Sequence, residues 1–127
     1  MCSRGGVTQT RRRRGTVASE GQPRRWLVVP GEFGRKAHPQ LRKAQDVHDQ
    51  VELIAARAQH EVVRAVRDLM ANRGVPSLDD LAERTGMSAA QLGRLFRGET
   101  TMTLLHLALL QRHLGPDDRL LDRKSTR

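Results

Sequence analysis

Apolar residues recur at steps of three or four between Pro39 and Asn72: Leu41, Ala44, Val47, Val51, Ile54, Ala58, Val62, Ala65 and Leu69, with no internal glycine or proline. This period predicts a single amphipathic helix of about thirty residues. A break within residues 55–60, giving two helices packed as a hairpin, is the alternative. Val62, Val66, Leu69 and Met70 mark the face expected to enter a core. The earlier stripe of Val47, Val51, Ile54 and Ala58 alternates four and three like a short heptad seam. It would either join two copies of the chain or fold back to cover the domain's own core. Gly74-Val75-Pro76 ends the helix, because glycine permits the turn and proline biases Val75 away from helical geometry.

Residues 77–98 then read as two short helices around a tight corner. Ser77 is an N-cap candidate, and Asp79 and Asp80 suit the positive end of the helix dipole. Leu78, Leu81, Ala82 and Thr85 share one face. Gly86 stops the first helix, Met87 can plug the corner, and Ser88 can cap a second helix over residues 89–97. That helix turns Leu92, Leu95 and Phe96 inward and leaves Ala89, Ala90, Gln91, Gly93, Arg94 and Arg97 on its other side. Thr101 or Thr103 can start a further helix over residues 104–113. Leu104, Leu105, Leu107, Ala108, Leu110 and Leu114 make it apolar enough to be the central buried helix. Gly115-Pro116 ends it, and residues 117–122 can add one short turn carrying Leu120 and Leu121.

Two helices joined at such a corner form a helix-turn-helix, whose second helix enters the DNA major groove. At these residues the chain resembles the phage repressor and Cro family, also called the xenobiotic-response-element family. The likeness covers residues 61–115, and Leu78, Leu81, Ala82, Gly86, Met87, Ser88, Leu92, Leu95 and Gly98 keep its spacing. It implies an all-α, lambda-repressor-like bundle, here with a long N-terminal helix and a disordered basic N-terminal arm. The expected division is an arm at 1–37, a helix extension with a dimerisation role at 38–60, the helix-turn-helix domain at 61–121 and a frayed tail at 122–127. Leu78, Ala89 and Ala90 depart from the polar residues usual in the family at those places, which removes some of the family's base and phosphate contacts.

Charge sharpens the reading. The chain of 127 residues has a net charge of +9. Residues 1–37 hold nine Arg or Lys against two Glu, and the remainder fourteen against twelve acids, so +7 of the excess sits in the first segment. A basic segment beside a helix-turn-helix suits the phosphate backbone. Residues 1–37 are also poor in apolar side chains, so disorder is the expectation. Trp26-Leu27-Val28-Val29-Pro30 is the exception, and it would either dock on the core or offer a patch to a partner.

Candidate contacts follow. Ala89, Ala90, Gly93 and Arg94 face base edges, with Arg94 suited to a guanine edge. Ser88, Gln91, Arg97 and Thr100 are phosphate candidates. Arg11, Arg12, Arg13 and Arg14 form an arm that would follow phosphates or dip into a minor groove. The expected partner is double-stranded DNA, with a homodimer or a protein partner in addition. The same fold serving as a protein-interaction module or an antitoxin is the competing function.

Catalytic chemistry finds no support. No motif brings a nucleophile, a base and an orienting group together. Cys2 is the only cysteine, and His38, His48, His60, His106 and His113 lack a metal-ligand spacing. Each histidine is expected at the surface or its boundary. Neither a cofactor nor a metal is expected. No run approaches the length of a membrane span, and the expected location is the cytoplasm, on the nucleoid when DNA-bound.

Overall fold

The computed structural model describes residues 21–115, and among these the regular structure is helical. Four α-helices follow one another: α1 (Val47–Arg73), α2 (Leu78–Thr85), α3 (Ala89–Arg97) and α4 (Leu104–Leu114). The expected final turn at 117–122, the tail at 122–127 and the four arginines of the arm lie outside the described residues.

α1 is continuous through residues 55–60, so the hairpin alternative is set aside. It starts later than its periodicity suggested. The Asp46 side chain accepts the Asp49 N–H at 2.8 Å and fixes the first turn there. Upstream, residues 38–45 are not helical, because their backbone is engaged elsewhere. Leu27 and Leu41 form an isolated antiparallel bridge, in which Val28 N–H donates to Gln40 O at 2.9 Å and Arg42 N–H to Trp26 O at 2.8 Å. Leu41 thus keeps its apolar character to face Leu27 and the core, not to extend a helix.

The partner in that bridge is the main departure from expectation. Residues 21–37, read as part of a disordered arm, form a strap packed on the helices. Two short 3-10 turns, Pro23–Trp26 and Pro30–Glu32, shape it. Trp26, Leu27 and Phe33 are all buried. The Arg25 guanidinium lies 4.3 Å from the Trp26 ring centroid and donates to Glu52 of α1 at 3.1 Å. The apolar run docks on the core, as one of its two readings held, with Leu27 as its most buried residue, and Phe33 adds a second anchor beyond it.

Gly34 shows how closely the strap approaches. Its φ is +72°, and an added Cβ would stand 2.5 Å from Val63 Cγ1 and 3.1 Å from Phe96 O. Only a residue without a side chain fits between α1 and α3 in this backbone conformation.

The long helix, not α4, is the centre of the core. Val62, Val63, Ala65, Val66, Leu69 and Met70 of α1 meet Leu81, Met87, Leu92, Leu95, Phe96, Leu110 and Leu114. α4 buries only Leu110 and Leu114, while Leu104 and Leu105 are exposed. A helix apolar around most of its circumference still has one face to offer a core of this size. Arg73 Nε donates to Leu114 O at 2.8 Å, and Gln59 accepts the Met102 N–H at 2.8 Å. These two bonds tie α4 and the loop before it alongside α1. Val47, Val51 and Ile54, in the first half, are 60–73% exposed and lie outside the core formed by the described residues.

Candidate nucleic-acid interface

The corner between α2 and α3 is built from local hydrogen bonds. Ser77 Oγ accepts the Asp80 N–H at 3.2 Å, and Ser88 Oγ accepts the Gln91 N–H at 3.0 Å, so each helix begins on its own serine. Thr85 Oγ1 donates to Leu81 O at 3.0 Å and accepts the Met87 N–H at 3.3 Å, which buries a polar side chain with both bonds made. Met87 fills the corner, and Leu92, Leu95 and Phe96 anchor α3. With that face locked, Ala90, Arg94 and Arg97 are left exposed on the other.

The candidate contacts are not equally free. Arg94 is exposed. Ala89 is half-buried, and Gly93 is buried beneath Arg97, whose Nη1 would stand 2.9 Å from a Cβ at residue 93. Ser88 is exposed, and its Oγ accepts the capping bond while its O–H is left to donate. The Gln91 amide lies 3.0 Å from His106 Nε2, in the first turn of α4, where Thr103 and His106 form a reciprocal capping box. Thr103, not Thr101, is the cap. Thr100 is exposed at its side chain, and its carbonyl accepts from Gln59 Nε2 at 3.0 Å. Gln59 also donates to Leu95 O, so one buried amide from α1 fixes both the end of α3 and the loop after it.

Arg97 Nε donates to Glu99 Oε2 at 2.6 Å, and Arg24 of the strap reaches the same oxygen at 3.8 Å. The Arg97 bond, with the charges of Arg97, Arg24 and Arg94, holds the Glu99 carboxyl below its ordinary value. Arg24 and Glu99 were not among the sequence candidates. Arg24 is distant along the chain, and Glu99 carries the wrong sign for a phosphate contact.

His60 corrects another expectation. It is buried under the strap, where its Nδ1 accepts the Gly34 N–H at 2.8 Å and its Nε2 donates to Lys36 O at 2.9 Å. Phe33 meets the ring edge-on at 5.6 Å. Burial lowers its pKa from the ordinary 6.5, which suits a neutral ring that must accept as well as donate.

Among the described residues no group of three or more His, Cys, Asp or Glu is placed to hold a metal ion, and no helix is long and apolar enough to cross a membrane. Residues 65–115 match the family model of the Cro/C1-type helix-turn-helix DNA-binding domain. No curated protein and no solved structure matches the chain. The match begins inside α1 and ends just past α4, leaving the strap and the first half of α1 outside it. The capped corner, the anchored second helix and this match together make residues 65–115 a helix-turn-helix domain similar to the Cro/C1 type.

Proposed function

We propose that the protein is a sequence-specific regulator of transcription that binds double-stranded DNA with α3 in the major groove. One observation carries the reading: α3 is fixed on its inner face by Leu92, Leu95 and Phe96, while Arg94 and Arg97 stand exposed on the outer one. Arg94 is the base-reading side chain, able to give a guanine edge two hydrogen bonds. Ser88, Gln91, Arg97 and Thr100 flank it toward phosphates, and Arg11, Arg12, Arg13 and Arg14 add positive charge that attracts the DNA backbone. Ala89 and Ala90 offer at most apolar contact to a thymine methyl, so a lone domain discriminates modestly. The protein works on DNA in the cytoplasm and needs no catalytic group.

A second copy of the chain is the partner that the Val47, Val51 and Ile54 stripe suits. Its spacing is that of a helix seam, and it lies outside the matched domain. Three residues are far fewer than the roughly 20–30 a side, about 800 Å² per partner, of a standard interface. The dimer is therefore weak in solution and is completed on two half-sites about 10 base pairs, or a multiple, apart.

Selection of duplexes from a random pool, followed by sequencing, tests the proposal. An enriched motif, with half-sites at that spacing, is the expected result. A pool that stays unenriched would refute sequence-specific binding. It would favour a protein-interaction module or antitoxin, for which the exposed Leu104 and Leu105 speak.

A further inference from the structure

The strap ends its first turn against the recognition helix. Arg24 N–H donates to Gly98 O at 3.0 Å, at the C-terminal cap of α3. A Cβ on Gly98 would stand 2.9 Å from Arg24 Cβ and 2.8 Å from the Phe33 ring, so the strap backbone lies directly on the helix end. Arg24 is further oriented by its Nε, which donates to Gln22 Oε1 at 3.1 Å. Its Nη1 then faces Glu99 Oε2, the oxygen that Arg97 already holds.

Two arginines thus converge on a single carboxylate oxygen at the end of the groove-facing helix. Their side chains are 21% and 55% exposed, and Glu99 is 26% exposed, so the cluster opens to solvent. Arg24, Arg94, Arg97 and Glu99 together carry +2. Guanidinium groups take carboxylate and phosphate oxygens by the same planar donors. Arg97 is the more exposed of the two arginines, so its pair with Glu99 is the one a phosphate can reach, and pairs at a surface contribute little.

We propose that Arg24 and Arg97 form a clamp for one DNA backbone phosphate, and that Glu99 occupies the clamp until a phosphate replaces it. The clamp rests on the DNA-binding reading and adds to it a residue from outside the matched domain. It also gives Glu99 a role. Its carboxylate must be displaced and then lies near the DNA, so it holds down affinity for any sequence and leaves discrimination to Arg94.

Binding measured against salt concentration, on the enriched duplex and on an unrelated one, tests the clamp. Each neutralised phosphate contributes about 0.9 to the slope of log affinity against log salt, which is roughly eightfold at 0.1 M relative to 1 M. Arg24→Gln leaves Arg97 alone on the phosphate and should flatten the slope by up to that amount and weaken both duplexes alike, and Arg24→Lys should restore the slope. Glu99→Gln should steepen it and tighten both duplexes, by up to roughly eightfold at 0.1 M. Unchanged affinity and slope in Arg24→Gln would overturn the clamp. So would weaker binding by Glu99→Gln at an unchanged melting temperature, since Glu99 would then be orienting Arg97 and not competing for it. Failure of the wild-type chain to bind any duplex would remove the DNA-binding reading itself, and the clamp with it.

Discussion

Replacing Gly34 with alanine should detach the strap, and Gly74 supplies the control. Both residues have φ +72°, but a Cβ on Gly74 meets nothing within 4 Å, whereas one on Gly34 would stand 2.5 Å from Val63 Cγ1. The left-handed conformation costs alanine about 1 kcal/mol at either site. At Gly34 the crowding adds to it. Val63 is fully buried, its branched side chain has one favoured rotamer in a helix, and the other near neighbour is backbone, Phe96 O. Overpacking of this kind costs about 1–3 kcal/mol. Gly34→Ala should therefore lose about 2–4 kcal/mol and Gly74→Ala about 1 kcal/mol, out of a total of roughly 5–15 kcal/mol for a native domain. Urea unfolding should be followed by far-ultraviolet circular dichroism and by fluorescence of Trp26, the only tryptophan, which is buried in the strap. Because the clash lies at the strap, the fluorescence transition of Gly34→Ala should come before the helical one, while the two coincide in Gly74→Ala. Equal destabilisation of the two variants, to within about 0.5 kcal/mol, would refute the close packing of strap on α1 and α3.

Three further outcomes are expected. His60 is neutral when folded and its pKa lies below 6.5, so between 6.5 and that lowered value the unfolded chain binds a proton that the folded chain does not. Stability contributed by the neutral ring is present above pH 6.5 and declines as pH falls through that window; urea midpoints should show the decline in the wild type and not in His60→Gln. Arg94→Ala should relax preference at one base pair, at a cost of about 1–3 kcal/mol for the preferred base, in binding to single-substitution duplexes; uniform weakening would make Arg94 a backbone contact. Val51→Glu with Ile54→Glu should change stability by no more than about 0.5 kcal/mol, because both side chains are exposed, yet abolish cooperative binding to paired half-sites. Loss of the fold would place those residues in a core.

The helix-turn-helix was legible because its signals are local. Ser77, Gly86, Ser88 and Gly98 each act within a few residues of themselves, and the spacing of Leu81, Leu92 and Leu95 follows from helix geometry alone. The strap was hidden because its stability comes from contacts far along the chain. Phe33 against Gly98 and Gly34 against Val63 are pairings that only the fold brings together, and within the strap they leave just one aromatic and one glycine as a trace in a segment whose composition reads as disordered. Leu41 misled for a related reason, since pairing with Leu27 and extending an amphipathic helix both demand an apolar residue. The overlooked signal was Asp46 three residues before Asp49, a start that periodicity overran. α4 carried too much apolar surface for its sequence to say which side was inside. At the interface the residue types were readable but their engagements were not. Gln91 and Arg97 both lie off the apolar face of α3, yet one is tied to His106 in α4 and the other to Glu99 in the exit loop. In the DNA-binding reading proposed above a contact to DNA must first compete with such bonds, and that is why base reading there is given to Arg94, which is exposed.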